Sequence, residues 1–171
     1  LLDRLTGGMA ASEALAQVVA AASAIAYRQL TVVDRWGGTA AYSGERTLGT
    51  HATVQTTDAV VAGNLLAGDD VPATMLAAFH ERLEERFGDR LLAAMQAGLA
   101  AGGEAGPVHS AGLLIVRDVP WPVVDLRVDW ADDPIGDLTK LWRLWRPQMD
   151  AYVTRALDPE AAPSYGVAGD E

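Results

Sequence analysis

The segment GGEAGPVHSAGLLIV at residues 102–116 decides how this chain can fold, because three kinds of structure meet in it. Its glycines end a helical pattern, its proline and polar residues predict a turn, and Ala111–Val116 predicts a buried strand. Three polar residues lie at this junction: Glu104, His109 and Ser110. Because a rigid strand end can hold such side chains at the rim of a cleft, we assign all three to substrate binding.

Outward from this junction, hydrophobic periodicity and turn residues predict an alternation of helices and paired strands. On the N-terminal side the predicted elements are a helix over Ala10–Ala26, strands at Tyr27–Val33, Thr39–Ser43, His51–Gln55 and Ala59–Gly63, and helices over Val71–Glu85 and Asp89–Leu99. On the C-terminal side they are strands at Ala111–Val116 and Pro122–Val128 and a helix over Ile135–Ala156, interrupted at Pro147. Asp132 or Asp133 is expected to cap that last helix.

Strands and helices come in blocks rather than in β-α-β units, which favours an α+β fold with an antiparallel, sheet-on-sheet core covered by helices. No linker composition divides the chain, so we expect a single domain over residues 1–157. The remaining residues, 158–171, contain two prolines and two glycines and are expected to form an irregular tail.

Composition excludes several classes of partner. Lysine and arginine total 13 against 23 acidic residues, and the resulting net charge of −10 repels phosphate backbones and anionic membranes. No apolar run approaches the roughly 20 residues that span a bilayer. The chain has no cysteine and its 3 histidines are dispersed, so we expect no metal site and no cofactor. A cytoplasmic location fits this composition.

Several blocks, taken in order, resemble one known family. They are Tyr27–Leu30 entering Val32–Asp34, Tyr42–Gly44, the GNLLAG motif at residues 63–68, the turn at residues 102–111, and the VDLRVD strand at residues 124–129. Together they resemble the Ntn-hydrolase-like family catalogued as domain of unknown function 1028. The resemblance implies a four-layer αββα sandwich related to the amide-cleaving Ntn hydrolases.

In that superfamily the nucleophile is the first residue of the mature chain, and its own α-amine acts as the base. Leu1 has no nucleophilic side chain, and the strands that normally precede the first helix are absent here. We therefore expect the nucleophile to lie in an N-terminal segment of the same gene product, as a separate or missing chain. Uncovered sheet edges also favour a homo-oligomer.

Asn64 is the candidate catalytic residue within the chain. A side-chain amide at a strand end can donate a hydrogen bond to a developing oxyanion. The alternative is that Gly63 and Asn64 simply form a turn, which both residue types favour.

The other candidate residues each have a structural alternative as well. Arg28, Asp125 and Arg127 are assigned to substrate binding, although the alternation of Asp125 and Arg127 on one strand face is also typical of a salt-bridged surface. His109 and Ser110 are neighbours in sequence, and adjacent strand residues point to opposite faces, so they are poorly placed to share a proton.

Two functions remain open at this point. The first is hydrolysis of a C–N bond in a small amide-type substrate. The second is a non-catalytic binding or assembly subunit that retains the fold, since fold does not imply activity.

Overall fold

The computed structural model describes residues 1–169 as a mixed α/β protein with small antiparallel sheets and six α-helices. This agrees with the α+β class predicted from the sequence. Internal contacts divide the chain into two compact units, the first ending at Val108 and the second beginning at His109. None of the helices described is both long enough and apolar enough to cross a membrane.

The first unit consists of two helices, two β-hairpins and two further helices. In chain order these are α1 (Leu2–Thr6), α2 (Ala11–Ala21), β1 (Gln29–Val33), β2 (Thr39–Ser43), β3 (Ala52–Thr56), β4 (Ala59–Gly63), α3 (Val71–His80) and α4 (Phe87–Ala100). A single 3-10 turn, Ile25–Tyr27, leads into β1.

The hairpin of β1 and β2 has two different faces, as the alternation of its side chains requires. On one face, Val32 and Ala40 are buried against Ala11 and Leu15 of α2, which forms a small apolar core. On the other face, Gln29, Thr39 and Ser43 point toward the second hairpin. The part of this face that carries Gln29, Thr39 and Ser43 therefore contacts the second hairpin.

The two hairpins contact each other along their whole length. At the turn end, the Asp58 amide donates to the Gly37 carbonyl at 2.9 Å, and the Thr39 hydroxyl donates to the Thr56 carbonyl at 2.9 Å. At the far end, the hydroxyls of Ser43 and Thr53 are 3.2 Å apart. Helix α2 packs on the first hairpin, α3 packs on the second, and α4 packs on α3.

The second unit is a hairpin backed by two helices: β5 (Ala111–Val116), β6 (Pro122–Val128), α5 (Pro134–Trp145) and α6 (Met149–Leu157). Inward-facing residues of both strands pack with α5, and its Leu138 and Trp142 are among the most buried side chains of the protein. The indole of Trp145 donates to the Val123 carbonyl at 3.0 Å, which fastens α5 to β6. Pro147 lies between α5 and α6, so it separates two helices as its missing amide favours.

Two predicted helices are shorter in the structure. Helix α2 stops at Ala21 rather than at residue 26, because Ala22 is extended and Ala24 has a left-handed backbone with φ of 56°. Helix α3 ends at His80 rather than at residue 85. Neither end carries a glycine or a proline, so the local sequence has no stop signal at these positions.

Candidate functional site

The candidate catalytic residue Asn64 lies directly after β4, at the start of a loop fixed by backbone hydrogen bonds on two sides. On one side, the amides of Leu65 and Leu66 donate to the carbonyls of Leu48 and Thr50 at 3.0 and 2.9 Å. On the other side, Ala67 donates to the Gly103 carbonyl at 2.9 Å and Ala105 donates to the Leu65 carbonyl at 2.7 Å. The GNLLAG motif is therefore held between residues 48–50 and residues 103–105.

The residue after Asn64 has an uncommon backbone conformation. Leu65 adopts a φ of 53°, in the left-handed region that costs a residue with a Cβ about 1–2 kcal/mol. Its side chain is 45% exposed, so burial of that side chain does not explain the conformation. The two sets of backbone hydrogen bonds hold it in place, and such enforced strain is typical of binding and catalytic loops.

The glycine before Asn64 packs closely against Leu66. A Cβ on Gly63 would lie 2.6 Å from Cδ2 of Leu66, whose side chain is buried in the first unit. The chain can therefore turn sharply after β4 and return Leu66 to the core, while Asn64 stays at the surface of the turn. Asn64 is half-buried, and its carboxamide has no hydrogen-bond partner among residues 1–169.

Glu104 lies next to this loop. It forms an isolated antiparallel bridge with Leu66, and its side chain is exposed. Of the residues assigned from sequence, Asn64 and Glu104 are thus brought together by the backbone of one loop. Arg28 lies in the same unit, immediately before β1; its side chain is exposed, and its carbonyl accepts a hydrogen bond from Gly44 at 2.8 Å.

Gln29, which was not assigned from the sequence, contacts the residue that precedes the loop. The carboxamide nitrogen of Gln29 donates to the Ser43 hydroxyl at 3.0 Å and to the Gly63 carbonyl at 3.1 Å, and it lies 3.5 Å from the Ala52 carbonyl. Gln29 and Ser43 are direct cross-strand partners on the polar face of the first hairpin. The signal available in the sequence was this pair of polar residues at matching positions on the two strands.

The remaining predicted residues belong to the second unit, where His109 is engaged by its neighbours. Its ring stacks on the indole of Trp130 with centroids 4.2 Å apart and planes at 11°. Its Nδ1 lies 3.1 Å from the Ala131 carbonyl, and its own carbonyl accepts from the Ala131 amide at 2.8 Å. Both His109 and Ser110 precede β5, and the Ser110 side chain is exposed.

Asp125 and Arg127 pair with each other on the exposed face of β6. The Arg127 Nε is 3.4 Å from Asp125 Oδ1, and both side chains are substantially exposed. Exposed pairs of this kind contribute about 0–1 kcal/mol to stability. This contact is typical of a salt-bridged surface. The assignment of Asp125 and Arg127 to substrate binding stays a prediction.

An open cleft of about 560 Å³ lies between α1 and α2, where Arg4 donates to the side-chain oxygen of Gln17. None of the residues assigned from the sequence lines it; its lining is Leu1, Asp3, Arg4, Gly7, Met9 and Val18. Across residues 1–169, no group of three or more acidic or histidine side chains is arranged to hold a metal ion.

These features define a mixed α/β protein whose best candidate site is a fixed loop at the end of a β-hairpin, presenting a free carboxamide. The family model described as a family of unknown function, DUF1028, matches residues 1–138. The chain belongs to the DUF1028 family.

A crystal structure of a DUF1028 protein from Silicibacter pomeroyi is similar, with a TM-score of 0.77 and 30% sequence identity. The similarity covers 88% of this chain but 65% of that one, so the chain spans about two thirds of the length of this relative. No protein of curated function matches the sequence.

Proposed function

We propose that this chain is part of an Ntn-hydrolase-like protein that hydrolyses the C–N bond of a small amide-type substrate. Asn64 donates its side-chain N–H to the oxyanion that forms during the reaction. The nucleophile and its base come from outside these 171 residues, from an N-terminal segment of the same gene product. The protein acts in the cytoplasm as a homo-oligomer.

The order of contacts in the first unit favours this proposal. Helix α2 packs on the first hairpin, that hairpin packs on the second, and the second carries α3 and α4. An αββα sandwich has its layers in this same order, and two of its layers are antiparallel sheets in contact. The four-layer description of the fold is part of the proposal.

The observation that carries the proposal is the Asn64 carboxamide. A donor that stabilises an oxyanion must be fixed in advance, and it must be unsatisfied until the charge develops. Two observations support this role: the backbone after Asn64 is fixed on two sides, and the Asn64 carboxamide has no protein partner in the described part of the chain. An ordinary turn asparagine usually bonds to its own backbone instead.

In the proposed reaction, the nucleophile attacks the substrate carbonyl carbon and its proton passes to the base. The carbonyl oxygen becomes an oxyanion that accepts a hydrogen bond from Nδ2 of Asn64. Collapse of this intermediate breaks the C–N bond, and the amine leaves with the proton from the base. Water then attacks the acyl intermediate, one of its protons passes through the base to the departing nucleophile, and the carboxylic acid is released.

Three hydroxyls of the two hairpins, those of Ser43, Thr53 and Thr56, already have side-chain partners. The hydroxyls of Ser43 and Thr53 contact each other, and Ser43 accepts from Gln29. The Thr56 hydroxyl is 3.0 Å from Nε2 of His80, but this exposed pair lies at the turn end of the second hairpin, and Thr56 also donates to the Thr57 carbonyl. The contact between Thr56 and His80 therefore links β3 to α3.

The test is to assay the full gene product against a panel of small primary and secondary amides, together with Asn64→Ala. Loss of one oxyanion donor should lower kcat roughly 100- to 1000-fold and change KM little. Gln55→Ala is the matched control, because Gln55 is an exposed carboxamide on β3. Equal rates for Asn64→Ala and the wild type on every hydrolysed amide would exclude the assigned role.

The second candidate function is a binding or assembly subunit without catalysis, and it is favoured because the hydroxyls of Ser43, Thr53 and Thr56 hold strands and helices together. In this case the same amides are not turned over. A small amide would still bind to the wild type, and Asn64→Ala would weaken that binding, as isothermal titration can measure.

A further inference from the structure

The Gln29 carboxamide joins the two hairpins at the end where Asn64 lies. Its nitrogen has two hydrogens, and its two nearest acceptors are the Ser43 hydroxyl at 3.0 Å and the Gly63 carbonyl at 3.1 Å. Ser43 belongs to the first hairpin and Gly63 to the second, so one side chain connects both sheets. No other side chain in residues 1–169 donates to the Gly63 carbonyl.

This contact acts on the peptide that leads into Asn64. The Gly63 carbonyl belongs to the same peptide plane as the Asn64 amide, so fixing its oxygen fixes the direction of the Asn64 N–Cα bond. Gly63 has no Cβ and gains no rigidity from a side chain of its own. The Gln29 bond therefore adds a restraint at the last residue of β4, directly before Asn64.

We infer that Gln29 is a positioning residue for the candidate site, holding the Gly63 peptide so that the Asn64 carboxamide projects in one direction. The inference rests on the proposed function of Asn64, and it adds a residue that does not itself touch the substrate. It also explains why a glutamine occupies an inward-facing strand position, where an unpaired carboxamide would be costly.

The structural test uses the fact that Asn64 is the single asparagine of the chain. Selective ¹⁵N-asparagine labelling gives one backbone signal and one pair of side-chain NH₂ signals. Gln29→Leu and Gln29→Glu both remove the donor, and we expect both to shift these signals. We also expect amide exchange at Leu65 and Leu66 to accelerate by at least about tenfold. Gln55→Glu, the same change on an exposed carboxamide of β3, should alter neither.

A measurement on the wild type covers the case in which both Gln29 variants fail to fold. The Gln29 side-chain NH₂ should exchange with solvent at least about tenfold more slowly than that of Gln55, because Gln29 donates to Ser43 and Gly63 while the Gln55 carboxamide has no hydrogen-bond partner in residues 1–169. Equal exchange rates of the two carboxamides would overturn the inference. Unchanged Asn64 signals in a folded Gln29→Leu protein would do so as well.

The kinetic arm separates positioning from a purely structural role. In the full gene product, a folded Gln29→Leu protein should lower kcat by at least about tenfold on a hydrolysed amide while KM stays within about twofold. If Asn64→Ala leaves hydrolysis unchanged, the proposed function fails, and the NMR arm still decides whether Gln29 positions Asn64. If Asn64→Ala lowers kcat but a folded Gln29→Leu protein changes neither the Asn64 NMR signals nor kcat, the positioning role fails and the role of Asn64 stands.

Discussion

At the scale of single residues, Asp34 is the side chain with the most defined structural role. It lies in the turn of the first hairpin, it is buried, and its carboxylate accepts three backbone amides at 2.9 Å, from Ala11, Trp36 and Gly38. The amide of Ala11 is at the start of α2, whose N-cap residue is Ala10 and has no capping side chain. Asp34 therefore caps a helix that lies 23 residues earlier in the chain.

These contacts predict a pH dependence of stability. The hydrogen bond from Ala11 is the main cause that lowers the pKa of Asp34 below its usual 3.8; burial opposes it, and the bonds from Trp36 and Gly38 add to it. Because the folded-state pKa is below the unfolded one, the stabilisation is complete above about pH 4. It is lost as the pH falls through the folded-state pKa.

We therefore expect Asp34→Asn to lower the Tm at pH 7 and to flatten the dependence of Tm on pH below about pH 4. Thermal melts between pH 3 and pH 7 measure both effects. Asp69→Asn is the control, since Asp69 is exposed and has no hydrogen-bond or ion-pair partner in the described residues. A parallel loss of Tm with acid in the wild type and in Asp34→Asn would contradict the assignment.

At the scale of elements, the start of helix α5 was predicted from a local signal, an aspartate at the N-cap. The sequence left open whether Asp132 or Asp133 caps this helix. In the structure Asp133 is the N-cap, and its Oδ1 accepts the Gly136 amide at 3.0 Å. A Cβ on Gly136 would lie 2.0 Å from Oδ2 of Asp133, so a larger residue at the third helical position would require the Asp133 carboxylate to shift.

We predict that Asp133→Ala lowers the free energy of unfolding by about 1 kcal/mol, the usual value for loss of an N-cap. Asp132→Ala, which removes the same charge one residue earlier, should change it by less than about 0.5 kcal/mol. Urea denaturation of the three proteins measures the difference. Equal effects of the two substitutions would mean that charge near the helix start, and not the cap hydrogen bond, stabilises α5.

The strands show why elements were easier to predict than their ends. Thr39–Ser43, Ala59–Gly63, Ala111–Val116 and Pro122–Val128 have the predicted bounds, because alternation and turn residues are local signals. Helices α2 and α3 were predicted to extend further along the chain than they do. The alanine-rich segment after α2 and the charged segment after α3 contain no glycine or proline that would mark a helix end.

At the scale of the whole molecule, charge and family are the properties that the sequence defines best. The net charge of −10 gives a repulsive field toward polyanions, and membership of the DUF1028 family adds no known ligand. Each of the two compact units has its own buried side chains, Val32 and Ala40 in the first and Leu138 and Trp142 in the second. The single domain expected over residues 1–157 stays a prediction.

From the net charge we predict that the protein does not bind duplex DNA. The anisotropy of a labelled 20-bp duplex should stay constant up to about 10 μM protein, both at 0.15 M and at 0.02 M salt, because no counterions are released without cationic contacts. A saturable rise that weakens as salt is added would reveal a cationic surface that the net charge conceals.

The sequence by itself determined the hairpins and most of the helices, because strand alternation and turn residues are local signals, and it determined the family, because several blocks keep their order along the chain. It also suggested Asn64, whose role stays a prediction. Only the tertiary structure decided which distant residues meet: Gln29 bonded to Gly63 and Leu65 held in a left-handed conformation near Asn64, and, away from that loop, Asp34 capping α2. These contacts join segments tens of residues apart, and which donor meets which acceptor depends on how the hairpins and helices pack. Hydrophobic periodicity along the chain does not specify which distant segments pack together.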